Sequence, residues 1–486
     1  MIPQDLQAQF LKENLAFLDR QMLMEPSVNG QVGFDFQGLR RSFKENPTHP
    51  DSKWVAGFGR IWIYDAALSI YADLKAGRIR QAGYQAGRLL QLGRQEEARG
   101  FKGLWHFSYN TRGDFFIDPR GPAGAVAWCL NALYAYVLAS RDAALLPWLN
   151  RAVREFLFER QVMDPSDPRD GLIRAGLYNA DDLKERDAMG YRVYEGEMNH
   201  PYEHVILEHC IDAAGTFRLA WRANQKTRVP GTETVSGTDF LTELARRHDL
   251  LMQGARRAFW KGDHFVSALD PEGRPYTGSD GLPSVAVDNN TWAAYVFLPY
   301  DPELALAAVR YVEEHFLVGV PPAHVEDAVA ETNPEGLRGL YYFRSNFVDP
   351  FVQVPAEHRE KMERLLQPEA TFGFILFLLA ALGSAGSPQE RERMKGRALE
   401  LYEHSVKLQR LYGPSGAPYA SANVPTVFST LSSVTTAANG IIATAILQGA
   451  PADDFIGVTP PPEFTVAGRP PESSVIPRPP GRGISS

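Results

Sequence analysis

Four stretches of this chain place acidic side chains where a polar, aromatic loop runs into an apolar segment of helical period: Asp65 in WIYDAALSIYADL, Glu195 and Glu197 in YEGEMNHPYEH, Asp288 in VDNNTWAAYVF and Glu369 in QPEATFGFILF. Carboxyl groups brought together in this way suit hydrolysis of a glycosidic bond. One carboxylic acid protonates the leaving oxygen, and a second carboxylate activates water or attacks carbon. An acid at a helix start is also the ordinary N-cap or dipole partner, so the chemistry depends on the four stretches converging. Glu197 and Asp288 are the pair favoured as general acid and base. Glu197 stands between Tyr194 and Tyr202, whose rings would bury it and raise its pKa, whereas Asp288 has Asn289, Asn290 and Trp292 beside it, company that keeps a carboxylate ionised.

Sugars offer apolar C–H faces to aromatic rings and hydroxyls to polar side chains. Trp62 and Tyr64 flank Asp65, which is expected to position the sugar, and Glu369 to support the site from an inner helix. Trp105, Phe107, Tyr109, Phe115 and Phe116 surround Asp114, and Tyr341, Tyr342 and Phe343 precede Arg344. From these stretches the expected substrate-binding set is Trp62, Tyr64, Asp65, Trp105, Tyr109, Asp114, Glu195, Asn199, Tyr202, Asn289, Trp292, Tyr342, Arg344 and Glu369. His200 and His204 stand four apart in HPYEH, on what reads as one helix face. The HExxH order is missing, Pro201 intervenes and no further ligand follows at a diagnostic spacing, so no metal is expected. Neither a GxSxG elbow nor a Gly-rich nucleotide loop is present, and no cofactor is expected.

The elements that must hold these residues are mostly helical. Apolar residues recur at helical spacing over residues 6–22, 61–76, 80–93, 122–139, 143–160, 201–224, 237–259, 287–298, 302–315, 369–383, 388–411 and 432–448. Twelve helices are what six concentric hairpins require, and an all-α (α/α)6 toroid is the expected fold. AVAWCLNALYAYVLA and ATFGFILFLLAAL are apolar nearly all round and read as inner-ring helices, whereas FLTELARRHDLLMQGARRAF has a charged outer face. Long loops at 100–121, 161–200, 261–286, 317–356 and 412–431 carry the chemistry. Within one of them, DPEG between two β-rich stretches predicts a small hairpin at the rim. Residues 1–457 read as one domain, and the Pro-rich tail 458–486 as an extended or disordered arm.

Composition narrows the partners. Apolar residues make up 44% and charged residues 22%, ordinary for a globular protein, and the net charge of −8 removes the basis for binding nucleic acid or an anionic membrane. The two cysteines, Cys129 and Cys210, sit in apolar helical stretches and read as buried free thiols. No window reaches the roughly 18 uninterrupted apolar residues of a membrane span. The start MIPQDLQAQF lacks a secretory pattern, so the sequence as it stands reads as cytoplasmic, and as periplasmic or secreted if a signal peptide has been removed.

With those residues in view, the chain resembles a bacterial family of (α/α)6-barrel, glycoside hydrolase-like proteins over residues 54 to 455. The likeness rests on YDAAL at 64–68, on AVAWCLNALYAYVLASRD, on Glu197 and Asn199, on Asp288 with Trp292, on Glu369 with Thr371, and on PYAS and SSVTTAANG near the C-terminus. The chain departs from the pattern at Pro201, where the family usually has an acid, and at Asn290, where it usually has Gln. The resemblance implies a glycosidase acting on an oligo- or exopolysaccharide without a cofactor, with inversion favoured. Two alternatives share the fold: a uronate epimerase or lyase using Tyr202, His204 or Arg344, and a glycan-binding or assembly protein without catalysis.

Overall fold

The computed structural model describes residues 3–25, 35–46, 48, 59–111, 116–118, 120–178, 199–227, 235–278, 280–329, 336–344, 347, 358–384, 386–414, 416–424, 428–451 and 464, with 116–118 and 235–239 by backbone alone. Twelve helices longer than a single turn order these residues. They are α1 (Gln4–Gln21), α2 (Ile63–Lys75), α3 (Ile79–Ala98), α4 (Ala123–Ser140), α5 (Leu146–Ala152, prolonged by a π-helical turn to Phe158) and α6 (Leu207–Lys226). The second half adds α7 (Val235–Phe259), α8 (Val287–Phe297), α9 (Pro302–His315), α10 (Pro368–Ala381), α11 (Pro388–Leu411) and α12 (Val434–Leu447). The even-numbered helices form a closed inner ring, each packed on the next, with α12 returning onto α2. The odd-numbered helices lie outside: α1 on α12, α3 on α2 and α4, α5 on α4, α7 on α6, α9 on α8 and α11 on α10.

Side-chain patterning explains the two rings. From Pro368 to Leu378 only Glu369 escapes full burial in α10, as a helix covered on both sides requires, while α7 buries Leu244, Leu251, Met252, Ala255 and Phe259 and turns Arg246 outward onto Glu243. The 18 residues of α4 are apolar enough, at mean hydropathy 1.4, to cross a bilayer by composition, but 78% of them are buried within the ring. Starts are capped by side chains: Asp301 accepts from Leu304 N at 3.0 Å, Ser387 from Glu390 N at 3.1 Å and Ser433 from Thr436 N at 3.1 Å. Cys129 and Cys210 are both free and buried.

Among the described residues three small sheets decorate the rim, more than the single expected hairpin. β1 (Ile61–Trp62), β2 (Ser108–Tyr109) and β3 (Phe116–Asp118) form one, and β8 (Leu317–Val320) pairs with β9 (Leu337–Leu340) in another. The third runs β4 (Gly121–Pro122), β5 (Arg174–Tyr178), β6 (His200–Ile206) and β7 (Ala268–Leu269), all antiparallel. The DPEG turn closes as read: Gly273 N donates to Asp270 O at 2.9 Å with φ +78°, and Leu269 bridges Pro275. The helix expected over 201–224 starts only at Leu207, because HPYEHVI is strand β6, opposite β5. Aromatic and β-branched residues suit the pleat better than a helix. The pairing register slips between Tyr202 and Val205; His200 packs on the Tyr178 ring at 5.6 Å, and His204 Nδ1 meets the Tyr276 hydroxyl. The expected C-terminal arm lies outside the described residues except for Phe464, which is buried with its ring 4.5 Å from that of His248 and 6.2 Å from Trp221.

Candidate active site

Each inner helix follows a residue in extended conformation, at Trp62, Pro122, Ile206, Ala286, Gln367 and Ser433, so the chain enters all six from the rim. The second residues of the six helices are Tyr64, Gly124, Glu208, Asp288, Glu369 and Thr435, and all of them line one cavity of about 400 Å³ at that end of the ring. Six helix N-termini, each carrying a partial positive charge, thus surround the space. Trp62, Phe107, Trp128, Tyr342, Phe347 and Tyr419 give it aromatic walls, and Arg60, Arg120 and His209 add basic groups. Gly124 has no room for a side chain: a Cβ there would lie 2.4 Å from His209 Cδ2 and 3.0 Å from Asp212 Oδ2.

The carboxyl groups divide into two centres. On one side Asp288, 4% exposed, accepts from Asn289 N at 2.7 Å, from Asn289 Nδ2 at 2.9 Å and from the Tyr342 hydroxyl, and it shares a hydrogen bond with Glu208. Burial raises the pKa of Asp288, while its donors pull it back. Glu208 is raised well above the carboxylate range, by burial first and then by the charges of Asp288, Asp212 and Glu369. Asp212, one turn further along α6 beside Trp128, is likewise raised by burial and by Asp288.

On the other side, the Tyr64 hydroxyl donates to Glu369 Oε1 at 2.7 Å and Gln367 Nε2 lies 3.4 Å from Oε2. Burial, with Asp288 nearby, raises Glu369 to about 7 against the pull of those donors. Asp65, 1% exposed, is pushed up to about 8 by burial, opposed by the hydroxyls of Ser42 and Thr435. His209 is held neutral, its pKa lowered to about 3 by burial. Trp62 Nε1 and Asn289 Oδ1 are buried without a hydrogen-bond partner among the described residues, a donor and an acceptor left for a bound molecule.

Of the residues singled out in the sequence, the ring brings Trp62, Tyr64, Asp65, Asp288, Asn289, Tyr342 and Glu369 to this one cavity. Others stand apart from it. Trp105 is a core residue, its indole N–H on Leu89 O at 2.9 Å, and Tyr109 donates to buried Glu96 at 2.7 Å. Trp292 packs edge-on behind Trp128, at 6.0 Å. Tyr202 packs against Tyr178 within the third sheet, the rings tilted and 4.5 Å apart, and Arg344 faces Tyr311 of α9. Asn199, at φ +75°, ties its turn to Gly100 O at 3.1 Å and Lys102 N at 2.8 Å. Asp114, Glu195 and Glu197 lie outside the described residues. Sequence reasoning missed Glu208, Asp212, His209, Arg60 and Arg120. Glu208 follows the start of α6 by one residue, as Asp288 and Glu369 follow theirs, but the sequence reading began that helix at 201.

No protein-family model matches the sequence, and no curated protein does. Solved structures match over nearly their whole length. A D-mannose isomerase aligns at TM-score 0.57 and 11% identity, covering 92% of this chain and 98% of that one. The cellobiose 2-epimerase of Bacillus thermoamylovorans B4167 aligns at 0.55 and 9%, covering 92% and 100%. A glycosidase variant in complex with glucose aligns at 0.51 and 12%, covering 95% and 100%. The likeness is one of fold: this chain is an (α/α)6 toroid of the kind seen in these isomerase, epimerase and glycosidase structures.

Proposed function

We propose that the cavity hydrolyses a glycosidic bond of an oligo- or polysaccharide by carboxylate acid/base catalysis, without a cofactor. The observation that carries this reading is the pair Glu208 and Asp288 at two inner-helix starts of one aromatic-walled cavity, where burial and neighbouring charge raise Glu208 well above the carboxylate range. A carboxylic acid that keeps its proton near neutral pH is what protonation of a leaving oxygen needs. Trp62 and Phe107, with ring planes 3° apart, offer parallel faces for sugar C–H bonds, and Asn289 Oδ1 and Trp62 Nε1 offer polar contacts for hydroxyls. Tyr342, Tyr64 and Asp65 complete the contacts around the ring of acids. Epimerisation is the weaker reading, since it needs a base to take a proton from carbon and the one imidazole among the described lining residues, His209, has its pKa lowered to about 3.

The test is incubation with a mixed oligosaccharide panel, read by anomeric NMR and reducing-end release. New reducing ends are expected. A change of sugar configuration without chain shortening would replace hydrolysis by epimerisation, and tight binding without turnover would leave a glycan-binding protein.

A further inference from the structure

Resting on the hydrolytic reading, the geometry points to Glu369 as the second catalytic carboxylate, the base that activates water, with Glu208 and Asp288 acting together as a single acid. Two carboxyl groups that flank a glycosidic carbon must stand about 5–5.5 Å apart to form a covalent intermediate, or about 6.5–9.5 Å apart to admit a water. Glu208 and Asp288 are neighbours in this cavity and interact side chain to side chain, so they stand on one side of it as an adjacent pair. No sugar carbon and water fit between them, so the partner must be another acid of the same cavity.

Glu369 lines the same cavity as that pair. It is the second residue of α10, while Glu208 is the second residue of α6, and α6 and α10 pack on opposite flanks of α8, which carries Asp288. Glu369 and Glu208 therefore face one space from either side of Asp288. The Tyr64 hydroxyl and Gln367 amide both donate to Glu369, a setting that orients an ionised carboxylate. Asp65 is a poorer candidate: it lies one residue deeper on α2 and is fully buried.

Glu208 gives its proton to the glycosidic oxygen as the bond from that oxygen to the anomeric carbon breaks. Water attacks the carbon from the opposite face, and Glu369 takes the water's proton. The products are a free alcohol and a reducing sugar of inverted configuration. Glu369 then returns its proton to solvent and Glu208 regains one, with Asp288 accepting a hydrogen bond from Glu208 and Tyr342 accompanying it.

The test uses 4-nitrophenyl and 2,4-dinitrophenyl α- and β-glycosides of common hexoses and uronates, with Glu208→Gln, Glu369→Gln and Glu369→Ala, each checked for unchanged melting. Glu369→Asp keeps the charge if the neutral variants fail to fold. Glu208→Gln is expected to lose about 10²- to 10⁴-fold on the 4-nitrophenyl glycoside and far less on the 2,4-dinitrophenyl one, whose leaving group needs no proton. Glu369→Gln should lose similarly on both, and azide should rescue Glu369→Ala with formation of an inverted glycosyl azide. Wild-type cleavage with Glu369→Gln retaining more than a tenth of it would overturn the base while leaving hydrolysis intact. A wild type that cleaves nothing in the panel overturns the hydrolytic reading and the base with it. A glucose-soaked crystal gives the geometry whatever the turnover: the anomeric carbon should lie between the Glu208 and Glu369 carboxyls, and a sugar lying elsewhere overturns the assignment.

Discussion

Burial of Asp65 couples a single side chain to the stability of the whole ring. Its folded pKa of about 8 lies above the unfolded value near 3.8, so between those two pH values the folded state holds a proton that the unfolded state has lost. The stabilisation is fully present below about pH 4 and has gone once pH has risen through 8. Ser42, Thr435, Glu369 and Arg60 all face Asp65, and only the first two and Arg60 favour its charge. Asp65→Asn should therefore flatten the fall of melting temperature between pH 5 and 9, with the largest gain over wild type at the alkaline end. Parallel melting curves would contradict the protonated assignment. Activity should answer to pH in the same region. Glu369, with a pKa of about 7, must ionise to act as base, while Glu208 must keep its proton as acid. Turnover should rise through pH 7 and decline only as Glu208 ionises, giving an optimum on the alkaline side of neutral. A rate already at its plateau at pH 5 would remove Glu369 from the mechanism.

At the scale of the helix, the telling position is Gly124. Alanine there would raise the helix propensity of α4 by about 1 kcal/mol, yet its methyl group would meet the His209 ring and the Asp212 carboxyl. Gly124→Ala should keep the melting temperature within a few degrees and lose at least about tenfold in turnover, the range lost when site geometry shifts. Unchanged turnover would show that α4 does not shape the site. Helix starts also decided what was legible in the sequence. Asp65, Asp288 and Glu369 were readable because a polar loop gives way abruptly to an apolar helix at each of them. Glu208 was hidden because strand β6 runs straight into α6, and HPYEHVILEHC carries apolar residues across both at spacings that fit either period. Trp105 and Tyr109 misled for a related reason: an aromatic residue in a loop reads the same whether it faces a ligand or pins the loop to the core, and burial alone separates the two.

For the whole molecule, ring closure makes α12 and α2 neighbours, so the first and last hairpins stabilise each other. We expect one cooperative unfolding transition for residues 1–457. Phe464 extends that expectation into the tail, since its ring is buried against Trp221 of α6 and His248 of α7. Phe464→Ala should lower the single transition by a few degrees, as loss of a buried aromatic worth about 3–5 kcal/mol requires, without changing turnover at the far end of the inner helices. A second transition, or no shift, would make the tail a separate body.

The circle of second residues has a further meaning. Its members read Tyr, Gly, Glu, Asp, Glu and Thr around the ring, and their backbone positions are fixed by six helices that hold each other in place. Each position is a socket whose occupant can be exchanged without rebuilding the frame. A chain of this architecture is thus a six-place dial: on the proposed reading two acids in suitable sockets serve hydrolysis, and an imidazole of ordinary basicity in one of them would move the same frame toward proton abstraction from carbon. The acids sit at the rim ends of the inner helices, whose remaining turns pack the ring.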